Sequence, residues 1–227
     1  MRIESLLGAT PRHAPGRRAL DDGSRVITYG QLGELVAAEA QFLLATHGLR
    51  FGLLADNGTG WALADLALHH LNRLNVPLPE WFTPSQLRHV IDNAGVDTLL
   101  TDRPDFAIER FPEFRLLTTA PASGLSILRR DIDRDAQPAV PSGTCKVTYT
   151  SGSTAEPKGV CLTAATLDCV SRSLANATES LGITRHLCLM PLPTLLENIA
   201  GIHAALRAGG SESRSPHKGP SRSRGPL

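Results

Sequence analysis

The chain alternates between two kinds of segment, and this restricts its fold more than any other feature. Short apolar runs, too brief for helices, alternate with stretches whose apolar residues recur every three or four positions. The runs are Phe51–Ala55, Val96–Leu100, Cys145–Tyr149, Val160–Leu162 and Leu187–Met190. The helical stretches are expected at about 30–46, 61–73, 84–94, 164–181 and 194–207. Strand followed by helix followed by strand requires crossover connections, and these build a largely parallel sheet. The expected fold class is therefore α/β, with crossover helices over a largely parallel sheet.

Local signals sharpen several boundaries. Asp22-Gly23 sits between two apolar segments and predicts a hairpin turn. Thr28 is placed to cap the first helix, and Gly48 is expected to end it. Thr83-Pro84-Ser85-Gln86 combines a cap, a first-turn proline and a residue able to reach back. Thr194-Leu195-Leu196-Glu197 reads as another capping box. Between about 102 and 142 the prolines Pro104, Pro112, Pro121, Pro138 and Pro141 predict surface connections and short strands. From Gly209 onward the chain is rich in Gly, Ser, Pro and Arg. So little apolar surface cannot offset the ordering entropy, and residues 209–227 are expected to be a disordered basic tail.

Composition excludes several classes. The formal net charge of +1 gives no whole-chain field toward nucleic acid. No apolar run approaches the roughly 20 residues that span a bilayer, and the first residues lead into no secretory signal. Cys145, Cys161, Cys169 and Cys188 form no metal or disulfide spacing, so reduced thiols and a cytoplasmic location are expected. His69-His70 has no neighbouring ligand at metal-binding spacing and is expected to be surface or packed.

The segment with chemical content is Tyr149-Thr150-Ser151-Gly152-Ser153-Thr154-Ala155-Glu156-Pro157-Lys158-Gly159-Val160. Thr150, Ser151, Ser153 and Thr154 supply four hydroxyls within five residues. Gly152 lets backbone N–H groups approach a ligand, and successive N–H groups in such a turn make an anion-binding nest. Lys158 adds a point charge suited to a phosphate oxygen. Together with Gly159 these residues form a candidate polyphosphate site. The pattern is not a Walker A motif, because the nearby glycines are Gly152 and Gly159 and Lys158 precedes the second instead of following it.

This segment resembles the phosphate-binding loop of the adenylate-forming superfamily, which includes acyl-CoA synthetases, nonribosomal peptide adenylation domains and luciferases. The family pattern is approximately [YF]-T-S-G-[ST]-T-G-x-P-K-G-V, and Ala155 stands where glycine is usual. Ile27-Thr28-Tyr29-Gly30-Gln31-Leu32 is similar to the family's early strand-to-helix entry. Met190–Glu197 is similar to its L-P-L-x-H-x-x-E segment, with Thr194 in place of the histidine.

The resemblance implies ATP-dependent activation of a small carboxylate as an acyl-adenylate. It also implies magnesium on the phosphates and transfer to coenzyme A or a phosphopantetheinyl carrier protein. Thr150, Ser151, Gly152, Ser153, Thr154, Lys158 and Gly159 would hold the nucleotide; no catalytic residue and no metal ligand is assigned. The family's Y-G-x-T-E and T-G-D segments have no counterpart in the sequence. Residues 1–208 are therefore expected to be an incomplete N-terminal domain, defective on its own, with loss of the natural reading frame near Gly209 as one explanation. Two other readings stand beside this one: a non-catalytic nucleotide- or acyl-binding module, and a non-functional gene fragment.

Overall fold

The computed structural model describes residues 14–133, 135, 137–150 and 156–214. The first strands are β1 (Arg18–Asp21) and β2 (Val26–Thr28), followed by helix α1 (Tyr29–Ala45). Then come β3 (Arg50–Leu54), α2 (Thr59–His70), β4 (Leu74–Pro77), α3 (Pro84–Asn93) and β5 (Thr98–Thr101). A short helix α4 (Pro104–Arg110) leads to β6 (Arg115–Thr119) and β7 (Ser126–Arg129). The remainder is β8 (Thr144–Thr150), β9 (Lys158–Thr163), α5 (Ala164–Glu179), β10 (Arg185–Cys188), a π-helix (Glu197–Ala204), α6 (Ala205–Arg207) and β11 (Ser211–Arg214).

Seven strands form the main sheet in the order β6-β7-β5-β3-β4-β8-β9. Its centre is parallel, as the alternation requires: β3 pairs in parallel with β4 and β5, and β4 with β8. Its flanks are antiparallel hairpins, β6–β7 on one side and β8–β9 on the other. Apolar side chains cover both faces. Leu53, Leu63, Leu66 and Ile127 lie in the cluster under α1 and α2, and Val76, Val90, Leu99 and Tyr149 in the cluster under α3 and α4. Continuous burial on two faces explains why β4 and β5 are buried at every residue.

Several local signals act as the sequence implies. Thr83 and Gln86 complete a capping box, with Thr83 N–H to Gln86 Oε1 at 2.9 Å and Gln86 N–H to Thr83 Oγ1 at 3.3 Å. Gln31 Oε1 accepts from Thr28 N–H at 3.0 Å. Gly23 turns the β1–β2 hairpin with φ +83°. In the same turn Asp22 has a second role. Its Oδ2 accepts from Thr59 N–H at 2.9 Å and from Thr59 Oγ1 at 2.8 Å, capping α2 from outside that helix. Burial opposes ionisation of Asp22, but bonds from Ser24, Thr59 and Arg25 outweigh it and hold the carboxyl well below its ordinary range.

Other expectations are corrected. At the end of α1 it is His47, with φ 57°, that takes the left-handed conformation. Gly48 serves close packing instead, since a Cβ there would lie 2.5 Å from Thr98 Oγ1. The proline-punctuated stretch contains a helix, α4, opened by Pro104 in its first turn. The helix expected from the Thr194 capping box is a π-helix running into α6. Glu197 does not cap it and is buried beside His186.

The disorder expected from Gly209 does not describe its first residues. Ser211–Arg214 form β11, which pairs in parallel with both β1 and β10. The resulting second sheet has the order β10-β11-β1-β2. Backbone pairing on both sides satisfies the N–H and C=O groups of this polar segment, and that decides its conformation over side-chain composition. The rest of the expected tail lies outside the described residues. Among the described residues no helix is long and apolar enough to cross a membrane.

Candidate functional site: the β8–β9 hairpin

The hydroxyl-rich loop joins β8 to β9, and these strands pair so that Thr150 stands opposite Lys158 and Tyr149 opposite Gly159. Both ends of the loop are thereby fixed by backbone hydrogen bonds, and Thr150 and Lys158 both stand exposed at its mouth. Ser151, Gly152, Ser153 and Thr154, together with Ala155, lie outside the described residues.

Gly159 is required by packing. A Cβ there would lie 2.9 Å from Val147 Cγ1 and 3.0 Å from Tyr149 Cζ. The buried Tyr149 ring occupies that space, and its hydroxyl donates to Asn93 Oδ1 at 2.5 Å. Burial pushes the Tyr149 hydroxyl up to about 12, so it stays a neutral donor. From the preceding turn of α3, His89 donates its Nε2–H to Pro157 O at 3.1 Å, with Nδ1 3.8 Å from Glu156. His89 and Asn93 thus brace the returning limb of the loop. Sequence reasoning missed both, because α3 is remote in sequence and carries no motif. The one available signal was their i, i+4 spacing on a single helix face.

Beneath the other face of β8 lies a polar cluster sealed from solvent. Asp65 of α2 accepts Lys146 Nζ at 2.6 Å and Asn75 Nδ2 at 2.7 Å on one oxygen. Its other oxygen accepts His203 Nε2–H at 2.9 Å and Asn198 Nδ2 at 3.1 Å. Lys146 also donates to Asn198 Oδ1. Burial alone would raise Asp65, but Lys146 and His203 hold it far below its usual range, so it stands as a carboxylate. His69, expected to be surface or packed, is packed. Its ring meets His203 edge-on at 5.2 Å between centroids, and burial and then His203 lower it to about 3.

The segment Met190–Glu197 is held from two sides. Asn57 donates Nδ2 to Met190 O at 2.9 Å and accepts Leu192 N–H on Oδ1 at 2.8 Å. Glu197 joins His186 Nε2 at 2.5 Å and accepts Met190 N–H at 3.3 Å. Burial, and then Glu197, push the nearby Glu212 carboxyl up to about 7. A cavity of about 130 Å³ lies between α5, β10 and the π-helix, lined by Leu174, Ile183, His186, Ala200 and Ala204; neither Thr150 nor Lys158 reaches it. Among the described residues no three His, Cys, Asp or Glu side chains converge as a metal site.

Comparison with known proteins gives the hairpin its context. A family model described as AMP-binding enzyme matches residues 8–218. The chain is 27% identical over 165 residues to a polyketide synthase-nonribosomal peptide synthetase of Aspergillus clavatus, covering 70% of this chain and 4% of that protein. It is 26% identical over 230 residues to a 3-[(3aS,4S,7aS)-7a-methyl-1,5-dioxo-octahydro-1H-inden-4-yl]propanoyl:CoA ligase of Mycobacterium tuberculosis, covering 91% of this chain and 45% of the ligase.

Among solved structures, ATP-bound MatB from Rhodopseudomonas palustris superposes with a TM-score of 0.70 at 18% identity, covering 92% of this chain and 44% of that one. O-succinylbenzoate coenzyme A synthetase (MenE) from Bacillus subtilis with AMP gives 0.67 at 22%, covering 88% and 52%. The chain spans about half the length of these solved relatives, and 4%, 26% and 15% of three curated synthetases it matches.

Proposed function

Because the chain belongs to the AMP-binding enzyme family, we propose that its β8–β9 loop holds the β- and γ-phosphates of ATP while a small carboxylate attacks the α-phosphate. Carboxylate adenylation is the chemistry of this family. Thr150, Ser151, Gly152, Ser153, Thr154, Lys158 and Gly159 are the residues assigned to the phosphates. The observation that carries the reading is the closure of the hairpin with Thr150 opposite Lys158. It brings a hydroxyl and an ammonium to the two ends of one loop.

These residue types suit the ligand. Lys158 sits on an exposed strand end, free to meet a phosphate oxygen. The absent side chain at Gly159 lets β9 lie against Tyr149, which keeps the loop narrow at its base. As the α-phosphate is attacked, charge grows on the departing pyrophosphate, and fixed donors with a lysine stabilise it. Magnesium, when bound, neutralises phosphate charge; its ligands would be mainly phosphate oxygens and water. The acyl group then passes to a thiol, of coenzyme A or of a carrier domain. This assignment draws on relatives named as a CoA ligase and as nonribosomal peptide synthetases.

Exchange activity of this chain alone is expected to be weak, because the sequence lacks counterparts of the family's ribose- and metal-binding segments. Isothermal calorimetry with magnesium-ATP tests the site. Lys158→Ala is expected to weaken binding about ten-fold, the change brought by ~1.4 kcal/mol. Equal affinity would remove Lys158 from the site, and robust carboxylate-dependent ATP–pyrophosphate exchange would overturn the expectation of weak activity.

A second reading, a fragment that does not stand alone, is favoured by the apolar side chains left in water. Leu189 is 71% exposed, Leu181 69% and Leu196 63%. Concentration-dependent association in size-exclusion chromatography would support it.

A further inference from the structure

A strand residue four positions before the loop is buried where a charge is expensive. Lys146 is 1% exposed, and its ammonium donates to Asp65 and Asn198. Side chains alternate along a strand, so Lys146, Thr148 and Thr150 share one face of β8. That face looks toward α2 and the π-helix, whereas Val147 and Tyr149 enter the opposite cluster under α3.

Asp65 accepts four donors from three elements: Lys146 of β8, Asn75 of β4, and Asn198 and His203 of the π-helix. The π-helix begins at Glu197, and Glu197 binds Met190 N–H and His186. The two sets of contacts meet at the adjacent π-helix residues Glu197 and Asn198, which tie the strand that enters the loop to the segment at Met190–Leu196. Such an arrangement adds little net stability over a well-packed apolar one, because desolvating the charges offsets their attraction. What it supplies is a fixed geometry, since each bond has direction.

We propose that Lys146 is a positioning residue for the phosphate loop: clamped by Asp65 and Asn198, it locks β8 to the π-helix and so sets where Thr150 stands relative to Met190–Glu197. The inference rests on the nucleotide-binding reading above.

The test compares magnesium-ATP affinity by calorimetry in the full chain and three variants, at a temperature where far-UV circular dichroism shows each folded. K146M/D65N replaces both charges and leaves no orphaned ion. Asn198→Ala removes both bonds of Asn198 to the cluster, leaves His203 as the remaining π-helix tie to Asp65, and keeps the Asp65–Lys146 pair. Val36→Ala, buried in α1, lowers the melting temperature without touching the cluster. K146M/D65N and Asn198→Ala are each expected to bind ATP about ten-fold more weakly, the change brought by ~1.4 kcal/mol. Val36→Ala is expected to keep its affinity.

Unchanged affinity in Asn198→Ala, or in K146M/D65N where that variant folds, overturns the inference and leaves the function standing. An equal loss in Val36→Ala makes the effect one of stability and also overturns it. Absence of ATP binding by the unaltered chain overturns the function and this inference together.

Discussion

Replacing Lys146 by methionine removes a charge and almost no volume, so the effect reads the electrostatics of the buried cluster. The Lys146 and Asp65 side chains are 2% and 0% exposed. Methionine fills the same space, so no cavity is added. Asp65 keeps Asn75, Asn198 and His203 but loses its counter-ion. An uncompensated buried charge costs about 3–5 kcal/mol. For a chain of this size that lowers the melting temperature by about 6–20 °C, at roughly 2–4 °C per kcal/mol.

The cost is also expected to depend on pH, with a definite sign. In the native chain burial raises Asp65, but Lys146 and His203 outweigh it and hold it low. Asp65 then contributes stability above its unfolded pKa of 3.8 that is lost as pH falls. Without Lys146 burial is far less opposed, and Asp65 titrates above its unfolded value. A raised carboxyl favours the fold at low pH, so the penalty of Lys146→Met shrinks as pH falls from about 8 to about 5. Urea unfolding followed by far-UV circular dichroism at the two pH values measures both quantities. A loss below about 1 kcal/mol, the range of a surface pair, or a penalty independent of pH, would refute the buried ion pair.

Gly159→Ala places a methyl group 2.9 Å from Val147 Cγ1, and overpacking of this kind is expected to cost about 1–3 kcal/mol by urea unfolding. Thr83→Ala removes the bond to Gln86 N–H and is expected to cost about 1 kcal/mol by the same measurement. Glu212, pushed up to about 7 by burial and Glu197, stabilises the fold below its unfolded pKa, and that contribution disappears as pH rises through about 7. The urea midpoint is therefore expected to decline on that limb in the native chain. Its slope should be smaller in Glu212→Gln, and an unchanged slope would exclude Glu212 as its source.

The parallel centre of the main sheet was legible before any coordinates, because its strands must be apolar on both faces and its crossovers must be helices. The Thr83–Gln86 capping box and the Gly23 turn were legible because each is settled by bonds within four residues. The loop was legible as a set of residue types, hydroxyls, glycine and lysine at a spacing that suits a phosphate. β11 was not legible. Its sequence is polar, and only the gap between β1 and β10, some 190 and 25 residues away along the chain, supplies partners for its backbone.

The role of Glu197 was misread for a related reason. A capping box is a local device, and the nearby ring of His186 outcompeted it once the π-helix was buried. His89, Asn93, Lys146 and Asn198 carry no motif, and their meaning comes from contacts across about 50 to 80 residues of chain. The sequence by itself determined the α/β class and the residue types of the β8–β9 loop, because periodicity and residue type act over a few residues. Only the tertiary structure decided what braces that loop, because a buried charge can be satisfied only by groups that folding brings to it.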